Sequence, residues 1–328
     1  MHGSTFGIAP VVMTRSALTS ALTLLLLSAP SVTAYQDSAS QPAAKTTFRS
    51  AVDLVSVAAV VRDKRGRFAR NLTKEDFVVQ DGGRRRDIVD FRSDENAPVR
   101  VALLFDVSGS MRLASRLEGA RQASRHLLSA LNLAAGFDEA AVFSFDMNLQ
   151  SLQSFTADAA AIESAIARVE PYGQTSLYDA VAETARSVAA PGPRDRHRRA
   201  VVVFTDGLDT SSLLKPEEVS AIASGIDVPV YVVTVLSQGE RDREDLRAEE
   251  NPLGSLARWT GGQLFMTSAP AHESLAARQI VDELRHQYVL AFSASATNGW
   301  RPLDVKTKDR DLTVRARSGY TAGARAGS

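Results

Sequence analysis

Apolar and polar positions change their spacing along this chain. From Val52 the period is two: VDLVSVAAVV runs into the turn-rich Arg62-Asp63-Lys64-Arg65-Gly66, and DFVVQDGGRRRDIVDF predicts two strands around Asp81-Gly82-Gly83. Beyond Pro98 continuous apolar runs alternate with amphipathic stretches. VALLF (Val101–Phe105) is the kind of run that a parallel strand buried on both faces requires, and Arg112–Ala135 follows with helical spacing at Leu113, Leu117, Ala120, Leu127, Leu128 and Leu131. Further strands are predicted at 140–145, 200–205, 228–235 and 263–267. Helices are predicted over Ala157–Val169, Ser176–Ala189, Pro216–Ser224 and Leu253–Thr260, and over Ala271–His286 with Leu275, Ile280, Val281 and Leu284 turned to the sheet. Period two returns in YVLAFSAS, RPLDVKTK and LTVRARSGY.

Strands separated by helices of this length imply right-handed crossovers. The fold class is therefore α/β, a doubly wound and mostly parallel, Rossmann-like sheet with helices on both faces. The strands before it and after it are too few on either side to bury a core alone. Together they predict one β-rich flanking module built from N- and C-terminal segments, with the α/β domain inserted between them. The expected division is a signal peptide over 1–34, a polar leader over 35–50, the first part of the β module over 51–97, the α/β domain over 98–286, and the second part of the β module with the tail over 287–328.

The signal peptide is read from Arg15, the short apolar run Ala17–Leu27 and the small residues Val32-Thr33-Ala34. That run is about half the roughly 20 residues needed to span a bilayer, and no other stretch is long enough. The expectation is export to the periplasm or the medium, with no membrane span once the signal is removed. Charge then narrows the chemistry. The 328 residues carry 38 Lys+Arg against 38 Asp+Glu, which leaves no net field to hold nucleic acid. There is no cysteine, so thiolate metal sites and thiol nucleophiles are excluded and any ion must be held by oxygen or imidazole.

In a doubly wound sheet the ligand site lies beyond the carboxyl ends of the strands. Asp106-Val107-Ser108-Gly109-Ser110 follows the Val101–Phe105 strand, and Asp206-Gly207 follows the 200–205 strand. Alternate side chains of an extended turn face the same way, so Asp106, Ser108 and Ser110 can converge while Gly109 lets the backbone bend. A third loop, Gly173-Gln174-Thr175-Ser176-Leu177, offers the Thr175 hydroxyl. All five candidates present oxygen, which suits Mg²⁺ (or Mn²⁺) with several retained waters.

Asp106-x-Ser108-x-Ser110, Thr175 in a Gly-x-Thr-x-Leu loop and Asp206 in Phe-Thr-Asp-Gly resemble, in order, the metal-ion-dependent adhesion site of von Willebrand factor A domains. The flanks resemble the exported von Willebrand factor A-related proteins of Acidobacteria. The resemblance implies that Ser108, Ser110 and Thr175 bind the ion by hydroxyl, that Asp106 and Asp206 bind it directly or through water, and that a partner protein supplies an Asp or Glu to complete the shell. It implies a binding protein and no enzymatic turnover. Two alternatives compete. A haloacid-dehalogenase-like phosphohydrolase would share the strand-end Asp and the Asp206-Gly207-Leu208-Asp209 element, but Ser108 stands where its acid–base Asp is needed. A cytoplasmic partner of an AAA+ ATPase would conflict with the export signal. The five His (His2, His126, His197, His272, His286) lie away from these loops in sequence, and no glycine-rich phosphate loop follows a strand. Arg84, Arg85 and Arg86, interleaved with Asp76, Asp81, Asp87 and Asp90, read as a solvated face.

Overall fold

The computed structural model describes residues 54–189, 195–207, 209, 211–225, 227–236, 251–295 and 297–323. The signal peptide, the leader and nearly all of the charged stretch 237–251 lie outside them. In chain order the elements are β1 (Leu54–Asp63), β2 (Phe77–Asp81), β3 (Arg84–Arg86), β4 (Ile88–Arg92), β5 (Val99–Asp106), α1 (Arg116–Ala130), β6 (Glu139–Phe145) and β7 (Leu149–Thr156). They continue as α2 (Ala159–Ala167), α3 (Leu177–Val188), β8 (Arg198–Thr205), α4 (Pro216–Gly225), β9 (Val230–Val235), α5 (Pro252–Thr260), β10 (Leu264–Thr267) and α6 (Pro270–Arg285). The chain closes on β11 (Tyr288–Ser293), β12 (Gly299–Thr307), β13 (Leu312–Ala316) and β14 (Gly319–Ala322).

A six-stranded sheet in the order β10-β9-β8-β5-β6-β7 forms the centre, parallel except for β7. Its apolar runs are continuous because both faces are covered. Val101, Leu103 and Phe105 pack under α1, α2 and α6, while Ala102 and Leu104 pack under α3, α4 and α5. Two antiparallel four-stranded sheets, β13-β1-β11-β4 and β14-β12-β2-β3, share a separate core of Val57, Val61, Phe77, Val79, Leu290, Phe292 and neighbours. β1 pairs with β11 and β2 with β12, so each sheet joins strands from before and after the α/β part, as the sequence predicts.

Four details differ from the sequence reading. A 3-10 turn over Gly109–Ser115 precedes α1, and Ser115 is left-handed (φ 60°), so the predicted helix Arg112–Ala135 begins later, and Leu113 lies exposed. Leu275, expected on the sheet side of α6, is 65% exposed; Ala276, Ala277 and Ile280 take the inner face instead. β7 was not predicted, because LQSLQSFT is a polar, irregularly paired edge strand with no apolar period. DFVVQDGGRRRDIVDF yields three strands, since β4 leaves the hairpin of β2 and β3 for the other sheet, and Asp81 is fully buried between Arg86 (2.7 Å) and Arg301 (2.5 Å) instead of lying on a solvated face.

Candidate metal centre

β5 is the first strand of the sheet, and the chain goes to β6 on one side of it and later to β8 on the other. The loops leaving β5 and β8 therefore diverge and open a crevice at their carboxyl ends. Phe105 stands opposite Phe204 in the parallel register, which brings the Asp106 and Asp206 ends side by side. Asp106 is fully buried. Its Oδ1 accepts the Ser108 N–H (2.8 Å) and its Oδ2 accepts the Thr205 hydroxyl (2.6 Å). Burial pushes its carboxyl up to about 6, against the opposing pull of those hydrogen bonds, and the charge on Asp206 pushes it the same way.

The two serines turn to each other, with Ser108 Oγ 2.9 Å from Ser110 Oγ. Ser108 is buried and Ser110 half-buried. Thr175 is buried in the third loop, and backbone hydrogen bonds tie that loop to the other two: Gly109 N–H donates to Gly173 O (3.1 Å) and Ser211 N–H to Thr175 O (2.9 Å). Gly173 is required at its place, because its φ of 98° is left-handed and a Cβ would stand 3.0 Å from Asp146 Oδ2. The five predicted residues thus sit on three mutually bonded loops at one edge of the sheet. Asp209, the residue that echoed a phosphohydrolase, is engaged elsewhere: its Oδ1 accepts the Leu177 N–H (2.8 Å) and the Ser212 hydroxyl (2.7 Å) at the start of α3.

Sequence reasoning missed Arg116. Its Nη1 donates to Asp206 Oδ2 (2.7 Å) and to Ser110 O (3.3 Å), and both charged side chains are buried, 9% and 1% exposed. The sequence reading places it inside a helix that starts at Arg112, where an Arg ordinarily reads as a surface cation. The donor set fits a hard divalent cation: two carboxylates and three hydroxyls, all oxygen, with one carboxylate held in a dry place where its charged form lacks solvation. Among the described residues no three His, Asp or Glu side chains cluster to offer a rival cage.

The sequence pattern of the von Willebrand factor type A domain matches residues 101–208, which contain most of β5, all of β8 and all five candidates. The fold is that of this domain type. No curated protein sequence matches the chain. Among solved structures, BatB from Bacteroides thetaiotaomicron is 19% identical and covers 56% of this chain and 97% of its own, with a TM-score of 0.45. A von Willebrand factor type A protein from Catenulispora acidiphila is 12% identical over 78% of this chain and 76% of its own, at 0.47. A mussel byssus proximal thread matrix protein with a zinc-occupied adhesion motif is 20% identical over 62% of this chain and 49% of its own, at 0.44.

Proposed function

We propose that this protein, which carries a von Willebrand factor A domain, is an exported, metal-ion-dependent protein-binding module that acts in the periplasm or outside the cell. Domains of this type are usually binding modules without catalysis, and no turnover is assigned here. Asp106, Ser108, Ser110, Thr175 and Asp206 would hold the ion, Mg²⁺ or Mn²⁺, which would supply residual positive charge to attract a carboxylate from a partner protein. The observation that carries this reading is the fully buried Asp106 beside Asp206, with hydroxyls converging on the same loops. Two carboxylates about 4–6 Å apart repel by a few kcal/mol at an intermediate effective dielectric, and a divalent cation offsets that repulsion.

The surrounding assignments belong to the same proposal: a signal peptide removed near Ala34, a β module divided between 51–97 and 287–328 around a binding domain over 98–286, and a kinship with the exported Acidobacterial proteins. A partner's Asp or Glu would draw Thr175 toward the ion, and the Thr175 loop would pass the shift to α6. Calorimetry with Mg²⁺ on wild type and Asp106→Ala tests the core claim. Binding that is lost in the variant supports it, and no divalent-ion binding by the wild type near millimolar concentration overturns it. Intact-mass analysis of the mature protein tests the export claim, which an uncut Met1 in the cytosolic fraction would sink.

A further inference from the structure

Arg116 lies where no metal-binding reading expects a cation. Its guanidinium bridges the two loops that an ion would bridge, on Asp206 Oδ2 at 2.7 Å from one side and on Ser110 O at 3.3 Å from the other. Its position is built. Ser115, immediately before it, takes a left-handed conformation (φ 60°, ψ 26°) that side chains ordinarily avoid, and this sharp turn is what starts α1 with Arg116 against Asp206.

A second observation lies one turn further along the same helix. α1 approaches α6 so closely at Gly119 that a Cβ there would be 2.9 Å from Glu273 Oε1 and 2.8 Å from Val235 Cγ1. Residues 116 and 119 share one face of α1, about 5–6 Å apart at Cβ, so the Glu273 carboxylate is within an arginine's reach. Glu273 is 4% exposed, and its Oε2 has no hydrogen-bond partner among the described residues. A buried carboxylate left that way is costly and is satisfied by an incoming donor.

We propose that Arg116 is a resident counter-cation which a divalent ion must displace from Asp206, and that Glu273 on α6 receives the displaced guanidinium. This inference rests on the metal reading of the site and names its regulation. The ion and the guanidinium compete for one carboxylate, so the intrinsic affinity of the oxygen ligands is masked in the wild type. The released guanidinium then makes its ion pair with α6, which links occupancy of the site to the last helix of the domain.

The test is calorimetric titration of the full chain with Mg²⁺, repeated with Mn²⁺, for wild type, Arg116→Gln, Arg116→Lys, Glu273→Gln, the double variant R116Q/E273Q and Asp106→Ala. Arg112→Gln serves as a control, because Arg112 lies on the 3-10 turn just before α1 but is exposed and bonds to Pro171 O (2.7 Å). Arg116→Gln should bind at least about fivefold tighter, the lower end of ordinary coupling between sites. Arg116→Lys and Arg112→Gln should stay near wild type. Glu273→Gln should weaken binding in the wild-type background and change nothing in the Arg116→Gln background. Melting without ion should fall for Arg116→Gln and recover with Mg²⁺ by more than the wild type does. Equal or weaker affinity in Arg116→Gln, while Asp106→Ala still abolishes binding, would overturn the latch and leave the metal site standing. A Glu273→Gln effect that persists without Arg116 would overturn the hand-over. Absence of binding in every protein, Arg116→Gln included, would overturn the metal reading together with the latch.

Discussion

Glu283 offers the sharpest test of how the β sandwich is attached. Its side chain is fully buried on α6, and its oxygens are held by Arg62 from β1 (Nη2 to Oε1, 3.0 Å) and by Arg315 from β13, whose side chains are 26% and 24% exposed. The two sides of this cluster differ in what they lose. Removing both cations in the double variant Arg62→Ala/Arg315→Ala leaves a buried carboxylate with no cation, beside the Gln279 amide (3.3 Å) and the buried Tyr231 hydroxyl, which costs about 3–5 kcal/mol. Glu283→Gln removes the charge and leaves two guanidiniums that water already reaches, so the cost is about 1–2 kcal/mol of hydrogen bonding. At about 2–4 °C per kcal/mol for a chain of this size, thermal melting should fall by roughly 6–20 °C for the double variant and roughly 2–8 °C for Glu283→Gln. The decisive arm is the triple variant. Once the cations are gone, Glu283→Gln should raise the melting temperature, because it neutralises an unpaired buried charge. If it lowers melting further, the cluster is held by packing and the electrostatic account is wrong.

Divalent-ion affinity should fall as pH drops through about 6, because protonation of Asp106 removes a ligand, at about tenfold per unit below that value; calorimetry one unit to either side checks it. In chelator the same group acts with the opposite sign. Its folded value is raised, so the stability it contributes is present below the ordinary carboxylate range and is lost as pH rises through about 6; melting curves across that window should show the ion-free protein gaining stability on acidification from this site. Gly262→Ala should destabilise by about 3 kcal/mol or more in chemical denaturation, since the new Cβ would stand 2.0 Å from the Val230 carbonyl oxygen and only backbone could yield. Leu103→Ala, in the middle of the fully covered strand β5, should cost about 2–5 kcal/mol by the same measurement.

The parallel strands were legible because burial on both faces leaves no polar position in them: VALLF and AVVVF carry the signal in any window. The candidate centre was legible for a related reason. Three of its five oxygens lie within one five-residue turn, and the others directly follow a strand or open a helix. What sequence could not supply was distance across the chain. Arg62 and Glu283 are 221 positions apart, and Asp81 and Arg301 are 220 apart, so a buried ion pair looks, residue by residue, like two surface charges. Arg116 was hidden in the same way, 90 positions from Asp206. β7 was invisible for the opposite reason: an edge strand half open to solvent has no reason to keep an apolar period.

α6 is the element on which these contacts meet. Glu273 sits near its first turn, against Gly119 of α1 and Val235 at the carboxyl end of β9, and Glu283 sits near its last turn in the grip of the sandwich arginines. Ten residues separate them, about 15 Å of continuous helix. A helix of that length transmits an axial shift as a rigid rod, because its own hydrogen bonds resist compression. Any displacement at Glu273 therefore either stretches the Glu283 cluster or carries β1 and β13 along with it. The second course is favoured by the covalent path, since α6 runs through His286 and Gln287 directly into β11, and β11 is the neighbour of β1 in the same sheet. His286 is itself held from the sandwich side, stacked on Phe68 at 4.5 Å and bonded to Arg70 at 2.8 Å. The inserted arrangement thus holds the sandwich to one helix through a buried ion cluster, the His286 contacts and the covalent run into β11, so a displacement of α6 would have to be shared with that module.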